Sequence, residues 1–172
     1  MPKHIIPNEA QALISLIKKH LARTNRNNHS IIKSFQDALC TAMNNHTPQT
    51  GYVWKKEVKM KAMQGIATTL LTTVNDSVDI LGTGKKGRPI YIIELDASRA
   101  DQVAKKILSR MALLGLQNDI VYIALMYPDT QNGLSQYEKY IKYGRAILQS
   151  VNPKSEILGL YIDPAAPNIK VI

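Results

Sequence analysis

The chain has 172 residues, 45% of them hydrophobic and 20% charged, which suits one soluble domain with a substantial core. No apolar run approaches the roughly 20 residues of a membrane-spanning helix. The opening Met1-Pro2-Lys3-His4 lacks a signal-peptide core, so a cytoplasmic protein with no membrane contact is expected. A single cysteine, Cys40, excludes an intramolecular disulfide framework and cysteine-rich zinc sites. Lys and Arg number 22 against 13 acids, a net charge of +9, and a surplus this large points to a polyanionic partner, first of all nucleic acid.

In chain order, residues 1–50 read as a helical region. Asn8 caps a helix running to about Ala22, with Ala12, Leu13, Leu16, Ile17 and Leu21 on one face. A second helix, from about Ser30 to Asn44, turns Ile31, Ile32, Phe35, Leu39 and Met43 inward. By position this region is assigned an accessory or dimerisation role, and residues 51–172 the α/β core. A third, very basic helix is expected over Tyr52 to Gln64, carrying Lys55, Lys56, Lys59 and Lys61.

From Gly65 the composition favours strands: Ala67 to Val74, Ser77 to Leu81, and Pro89 to Asp96, joined at Asn75-Asp76 and at Gly82 to Gly87. Ala97 to Leu114 has helical rhythm, with Ala100, Val103, Ala104, Ile107, Met111 and Leu114 inward. Asp119 to Met126 is apolar throughout, as a buried parallel strand is. A helix over Leu134 to Ser150 and a strand over Glu156 to Ile162 complete the chain. The expected class is α/β: a mixed central sheet with a three-strand meander, then helix and strand, covered by helices on both faces.

The sharpest feature is Ile90-Tyr91-Ile92-Ile93-Glu94-Leu95-Asp96. Alternation puts Ile90, Ile92, Glu94 and Asp96 on one face and Tyr91, Ile93 and Leu95 on the other. Two acids at the end of an apolar strand repel each other and desolvate badly unless a cation compensates them. Asp79, between Val78 and Ile80, is a third acid in an apolar segment, and a hairpin brings it near Glu94. Hard oxygen ligands of this kind suit Mg²⁺ or Mn²⁺. Asp96 also stands where it would cap the following helix.

Val78-Asp79-Ile80 followed on the next strand by Glu94-Leu95-Asp96 resembles the PD-(D/E)xK nuclease superfamily, whose helix, three-strand meander, helix, strand core is similar to residues 52–126. The resemblance implies a metal-dependent DNA endonuclease, restriction-endonuclease-like in fold and often homodimeric, with metal ligands Asp79, Glu94 and the Leu95 backbone carbonyl. The usual motif lysine is replaced by Asp96, which is then a further ligand or the group orienting the attacking water. Glu57, in Trp54-Lys55-Lys56-Glu57, matches the acid many members carry on their first core helix; it also reads as an exposed acid pairing with Lys61. Lys105 or Lys106, from the following helix, stands in for the missing lysine or is a solvated surface lysine.

Lys55, Lys56, Lys59, Lys85, Lys86, Arg88, Arg99, Lys105 and Lys106 are candidate phosphate-backbone contacts, and Arg110 joins them as a basic residue able to rim the acids. The rival function is a non-catalytic nucleic-acid-binding module that keeps the nuclease fold. Gly82-Thr83-Gly84-Lys85-Lys86-Gly87 has the letters of a dinucleotide fingerprint, but the strand after it offers no helix N-terminus for a pyrophosphate, so it reads as a hairpin turn. Tyr137, Tyr140 and Tyr143, interleaved with Lys139, Lys142 and Arg145, read as the seam of an amphipathic helix rather than a base-stacking platform.

Overall fold

The computed structural model describes residues 8–21, 30–45, 51–59, 76–86, 89–96, 99–115, 118–127, 133–163 and 168–172. Their elements are α1 (Asn8–Leu21), α2 (Ser30–Asn45), β1 (Val53–Lys59), β2 (Ser77–Thr83), β3 (Ile90–Asp96), α3 (Ala100–Arg110) running into a π-helical turn (Met111–Gly115), β4 (Ile120–Met126), α4 (Leu134–Val151), β5 (Glu156–Ile162) and β6 (Ile169–Val171). The six strands lie side by side in chain order in one sheet. β1, β2 and β3 form an antiparallel meander, β3, β4 and β5 run parallel, and β6 returns antiparallel. The class is therefore α/β, with a mixed sheet covered on both faces.

Parallel neighbours require crossovers, and α3 and α4 supply them. Both pack on one face, where Val103, Ile107, Met111, Tyr137, Ile141 and Leu148 meet Ile90, Ile92, Tyr122 and Ala124. Ile14 and Ile17 of α1 and Leu39, Cys40 and Met43 of α2 cover the other face, against Tyr91, Ile93 and Leu95. The period-2 reading of β3 thus holds residue by residue. In α1 the buried face includes Ile14 as well as Ile17, while Ala12 is exposed.

Of the basic segment expected as a helix over Tyr52 to Gln64, Val53–Lys59 is an edge strand, and the rest of it, from Met60 on, lies outside the described residues. Tyr52 and Trp54 point inward at 1% and 5% exposure, whereas Val53 and Lys55 point out, a period of two that helical spacing does not give. The inward rings pack on Tyr91, with centroids 5.0 Å (Tyr52) and 5.6 Å (Trp54) away. The lysines suit this position, because charge on an edge strand discourages pairing with another chain. β1 therefore provides the meander's first strand. The strand expected over Ala67 to Val74 lies outside the described residues, as does Arg88.

Gly82 belongs to β2 rather than to a turn. A Cβ there would stand 2.5 Å from Trp54 Cζ3, so the indole face demands glycine. The sequence carries no signal for β6, whose three residues, Ile-Lys-Val, are too brief a pattern for periodicity to register.

Candidate functional site

The site forms where β2 and β3 part. Their ladder runs from Gly82↔Tyr91 to Ile80↔Ile93 and stops there. Asp79 is the next residue, on the same side of β2 as Leu81, and so on the face that carries Glu94 and Asp96. Side-chain bonds replace the missing rungs. The Leu95 N–H donates to Asp79 Oδ2 at 2.8 Å, and the Asp79 carbonyl accepts Gln36 Nε2 at 2.5 Å. Gln36 comes from α2 and is buried, so one side chain ties the N-terminal helices to the strand that carries Asp79.

α3 crosses over this gap and lowers two cations into it. Lys106 Nζ lies 3.3 Å from Asp79 Oδ2, 3.1 Å from Glu94 Oε2, 3.2 Å from Asp96 Oδ1 and 3.3 Å from the Leu95 carbonyl oxygen. One turn on, Arg110 is 1% exposed. Its Nε donates to Glu94 Oε1 at 2.6 Å, and its Nη2 donates to the Ser77 carbonyl at 2.7 Å. Its guanidinium also grips the Asp76 carboxylate through both terminal nitrogens, and Ser109 Oγ sits 3.3 Å from Asp76 Oδ2.

The electrostatics follow from burial. Burial pushes Glu94 up to about 7, against the pull of Arg110 and Lys106. It raises Asp96 too, with Lys106 opposing. The Arg110 hydrogen bond holds half-exposed Asp76 below the usual carboxylate range. Burial works against the charge on Lys106, but Glu94, Asp96 and Asp79 outweigh it and keep the ammonium well above its ordinary range.

Two buried oxygens, Glu94 Oε2 and Asp96 Oδ2, have no hydrogen-bond partner among the described residues; the Lys106–Glu94 contact is an ion pair without hydrogen-bond alignment. Tyr122 Oη, on the same sheet face, is likewise unpartnered. Two cations face four carboxyl groups here, so the acids outnumber the cations. The oxygens of Asp79, Glu94, Asp96 and Leu95 are hard donors of the kind Mg²⁺ takes, and the orphaned atoms retain capacity for it. As the side chains stand, however, no three ligating side chains among the described residues close on one metal position. The Lys106 ammonium holds the centre.

The structure thus brings Asp79, Glu94, Asp96, the Leu95 carbonyl and Lys106 together. Asp96 is no helix cap: α3 starts after Arg99 with no side-chain cap, and the Asp96 carboxylate meets Lys106 instead. Glu57 is not on a helix. It is exposed on β1 with φ of 51°, in the left-handed region, between the rungs Lys56↔Ile80 and Val58↔Val78. Arg110 is not a rim cation but a buried one. Lys105 points away, exposed, with Asp101 at 3.5 Å, and Arg99 pairs with the same Asp101 at 2.7 Å. Lys55, Lys59, Lys85 and Lys86 are exposed, and Lys56 pairs with Asp37 at the surface. Tyr137 is in the core, donating to the Ala124 carbonyl at 2.5 Å, whereas Tyr143 is 55% exposed with the Lys139 ammonium 5.7 Å from its ring centroid.

Sequence reasoning missed Asp76 and Gln36, and misplaced Arg110. Arg110 does carry a signal: it falls seven residues after Val103 and three after Ile107, on the helix's apolar stripe.

No protein-family model matches the chain, and a comparison with curated proteins finds no match. A solved structure, the SPO1766 protein of unknown function from Silicibacter pomeroyi, aligns over 76% of this chain with 18% identity and a TM-score of 0.34. The chain spans 64% of that protein. A likeness this distant adds nothing to the reading of the site. No helix among the described residues is long and apolar enough to cross a membrane.

Proposed function

We propose that the chain is a metal-dependent DNA endonuclease of restriction-endonuclease-like fold, a homodimer that cuts both strands. The observation that carries this reading is Lys106 Nζ within 3.3 Å of Asp79, Glu94 and Asp96. A lysine beside an Asp and a Glu on adjacent strands is the arrangement the sequence resemblance asks for, and here the lysine reaches it from α3 while Asp96 fills its position on the strand.

In this reading Asp79, Glu94 and the Leu95 carbonyl would hold Mg²⁺ or Mn²⁺, which would polarise a phosphate and lower the pKa of a bound water. Arg110 keeps Glu94 in place through Nε. Asp96, at the open end of β3, accepts a hydrogen bond from the attacking water and orients it. Lys106 presents its charge to the phosphate oxygens as negative charge builds on them. The exposed lysines Lys55, Lys59, Lys85 and Lys86 supply contacts to the phosphate backbone, which give affinity and register but carry no sequence information.

The placement of Lys106 also favours a second reading. An ammonium that already compensates the acids suits a binding module that keeps the fold without the chemistry. The experiment is to incubate the protein with plasmid and phage DNA plus Mg²⁺ or Mn²⁺, beside Asp79→Ala and Glu94→Ala. Discrete fragments lost with EDTA and in both variants are expected. Retarded DNA in a gel without any cleavage by the wild type would sink the nuclease reading and leave the binding module.

A further inference from the structure

We propose that Lys106 is an exchangeable internal counter-ion: its ammonium holds the cation position of the acidic cage until a divalent ion displaces it. The inference rests on the metal-site reading above and goes one step beyond it.

Four oxygens, from Asp79, Glu94, Asp96 and Leu95, surround Lys106 Nζ at 3.1–3.3 Å. Mg²⁺ draws its oxygens to about 2.0–2.1 Å. A metal bound to this set therefore lies within the space the ammonium now takes, and like charges at such separation repel strongly. One of the two must leave.

The mobility of the neighbours decides which groups move. Glu94 and Asp96 are fixed on β3, hydrogen-bonded along its whole length to β4 in the register Ile90↔Ile120 to Asp96↔Met126. Arg110 is anchored at Glu94, Asp76 and the Ser77 carbonyl. Lys106 has no such anchor outside the cage. Its side chain keeps 26% exposure, and its four-carbon stem can swing the amine to solvent without disturbing α3. Arg110 is the permanent cation and Lys106 the replaceable one. Two consequences follow: the cage folds in the absence of metal, and loading it frees a positive charge at the mouth of the site.

The test is direct binding of Mn²⁺ to the full chain without DNA, by isothermal titration calorimetry. If the ammonium must vacate the cage, only a fraction of wild-type molecules is competent, and Lys106→Met should bind Mn²⁺ about tenfold more tightly or better. Asp79→Asn should weaken binding in either background. Wild-type binding that Lys106→Met leaves equal or weaker would overturn the counter-ion proposal and leave the metal site standing. No Mn²⁺ binding by wild type or variant would remove both.

A second measurement needs no variant of Lys106. Acetylation by an amine-reactive ester, read by mass spectrometry as Lys106 relative to Lys105, should rise several-fold once Mg²⁺ saturates the protein. An unchanged ratio at a metal concentration that calorimetry shows to be saturating also overturns the proposal.

Discussion

Arg110 Nε donates to Glu94 Oε1 at 2.6 Å, and neither side chain has more than 1% of its surface exposed. Removing one partner strands the other charge in the core, which typically costs about 3–5 kcal/mol. Arg110→Met should lose stability on that scale in urea denaturation, and the loss includes release of Asp76 and the Ser77 carbonyl. Adding Glu94→Gln to it should restore much of the loss, because the stranded charge is gone. The surface pair Lys56–Asp37, with both side chains nearly half exposed, is the contrast. Lys56→Ala should change stability by less than about 1 kcal/mol. A double variant no more stable than Arg110→Met alone would show that the charge on Glu94 is not the source of the cost.

The pH dependence has a definite sign. Burial raises Glu94 from 4.5 to about 7 in the folded protein. Between those values the folded state binds more protons than the unfolded one, so the contribution of Glu94 to stability falls as pH climbs through this window and is level above it. Asp76, held low chiefly by the Arg110 hydrogen bond, acts the other way: its contribution is present above its ordinary value of 3.8 and is lost as pH falls below that. Measured in EDTA, wild-type stability should decline relative to Glu94→Gln from about pH 5 to about pH 7, by an amount on the order of 3 kcal/mol. A wild-type-minus-variant difference that is flat across this range would mean that Glu94 stays ionised throughout.

What the sequence makes legible depends on how strongly local pattern and tertiary role agree. β3 is readable because Ile90 and Ile92 go to one cluster and Tyr91, Ile93 and Leu95 to the other, in strict alternation. β1 is not, because Lys55, Lys56 and Lys59 supply three of its seven side chains and hide the inward pair Tyr52 and Trp54. Asp79, Glu94 and Asp96 converge as the strand pattern requires. The choice of Lys106 over Lys105 depends on helix phase: Lys106 lies three residues after buried Val103 and four before buried Arg110, while Lys105 shares neither spacing. Arg110 resists reading because a basic residue near acids suggests a rim, and only its place on the apolar stripe indicates burial.

Gly82 and Trp54 offer a check on the meander itself. The rungs place them opposite each other, and a Cβ at Gly82 would lie 2.5–2.7 Å from three indole carbons. The indole is wedged between β2 and the rings of Tyr52 and Tyr91, so it has little room to retreat. Gly82→Ala should cost about 1–3 kcal/mol, the usual scale of overpacking. Trp54 is the chain's one tryptophan, so its emission reports the change without interference and should shift to the red as the ring gains water. An unshifted spectrum with native stability would mean that β1 does not pair with β2 in this register.

Lys105 and Lys106 are adjacent in sequence and have opposite surroundings, which under the nuclease proposal would separate charge at the reacting phosphate from charge that merely attracts DNA. Lys106 stands among the carboxylates, while Lys105 is 66% exposed with Asp101 at 3.5 Å. Loss of a cation at a developing negative charge typically costs about 10²–10³-fold in turnover, and in the metal-loaded site that cation would be the Lys106 ammonium freed from the cage. Lys106→Ala should therefore lower the single-turnover cleavage rate on that scale at saturating Mg²⁺, with DNA affinity nearly kept. Lys105→Ala, if that lysine touches a phosphate, should weaken DNA binding uniformly across sequences and reduce the salt slope of binding by about 1, leaving the saturated rate unchanged. Cleavage followed under single-turnover conditions, beside affinity measured at several salt concentrations, gives both quantities. Equal losses of rate in the two variants would remove Lys106 from the reaction and reduce it to one surface cation among many.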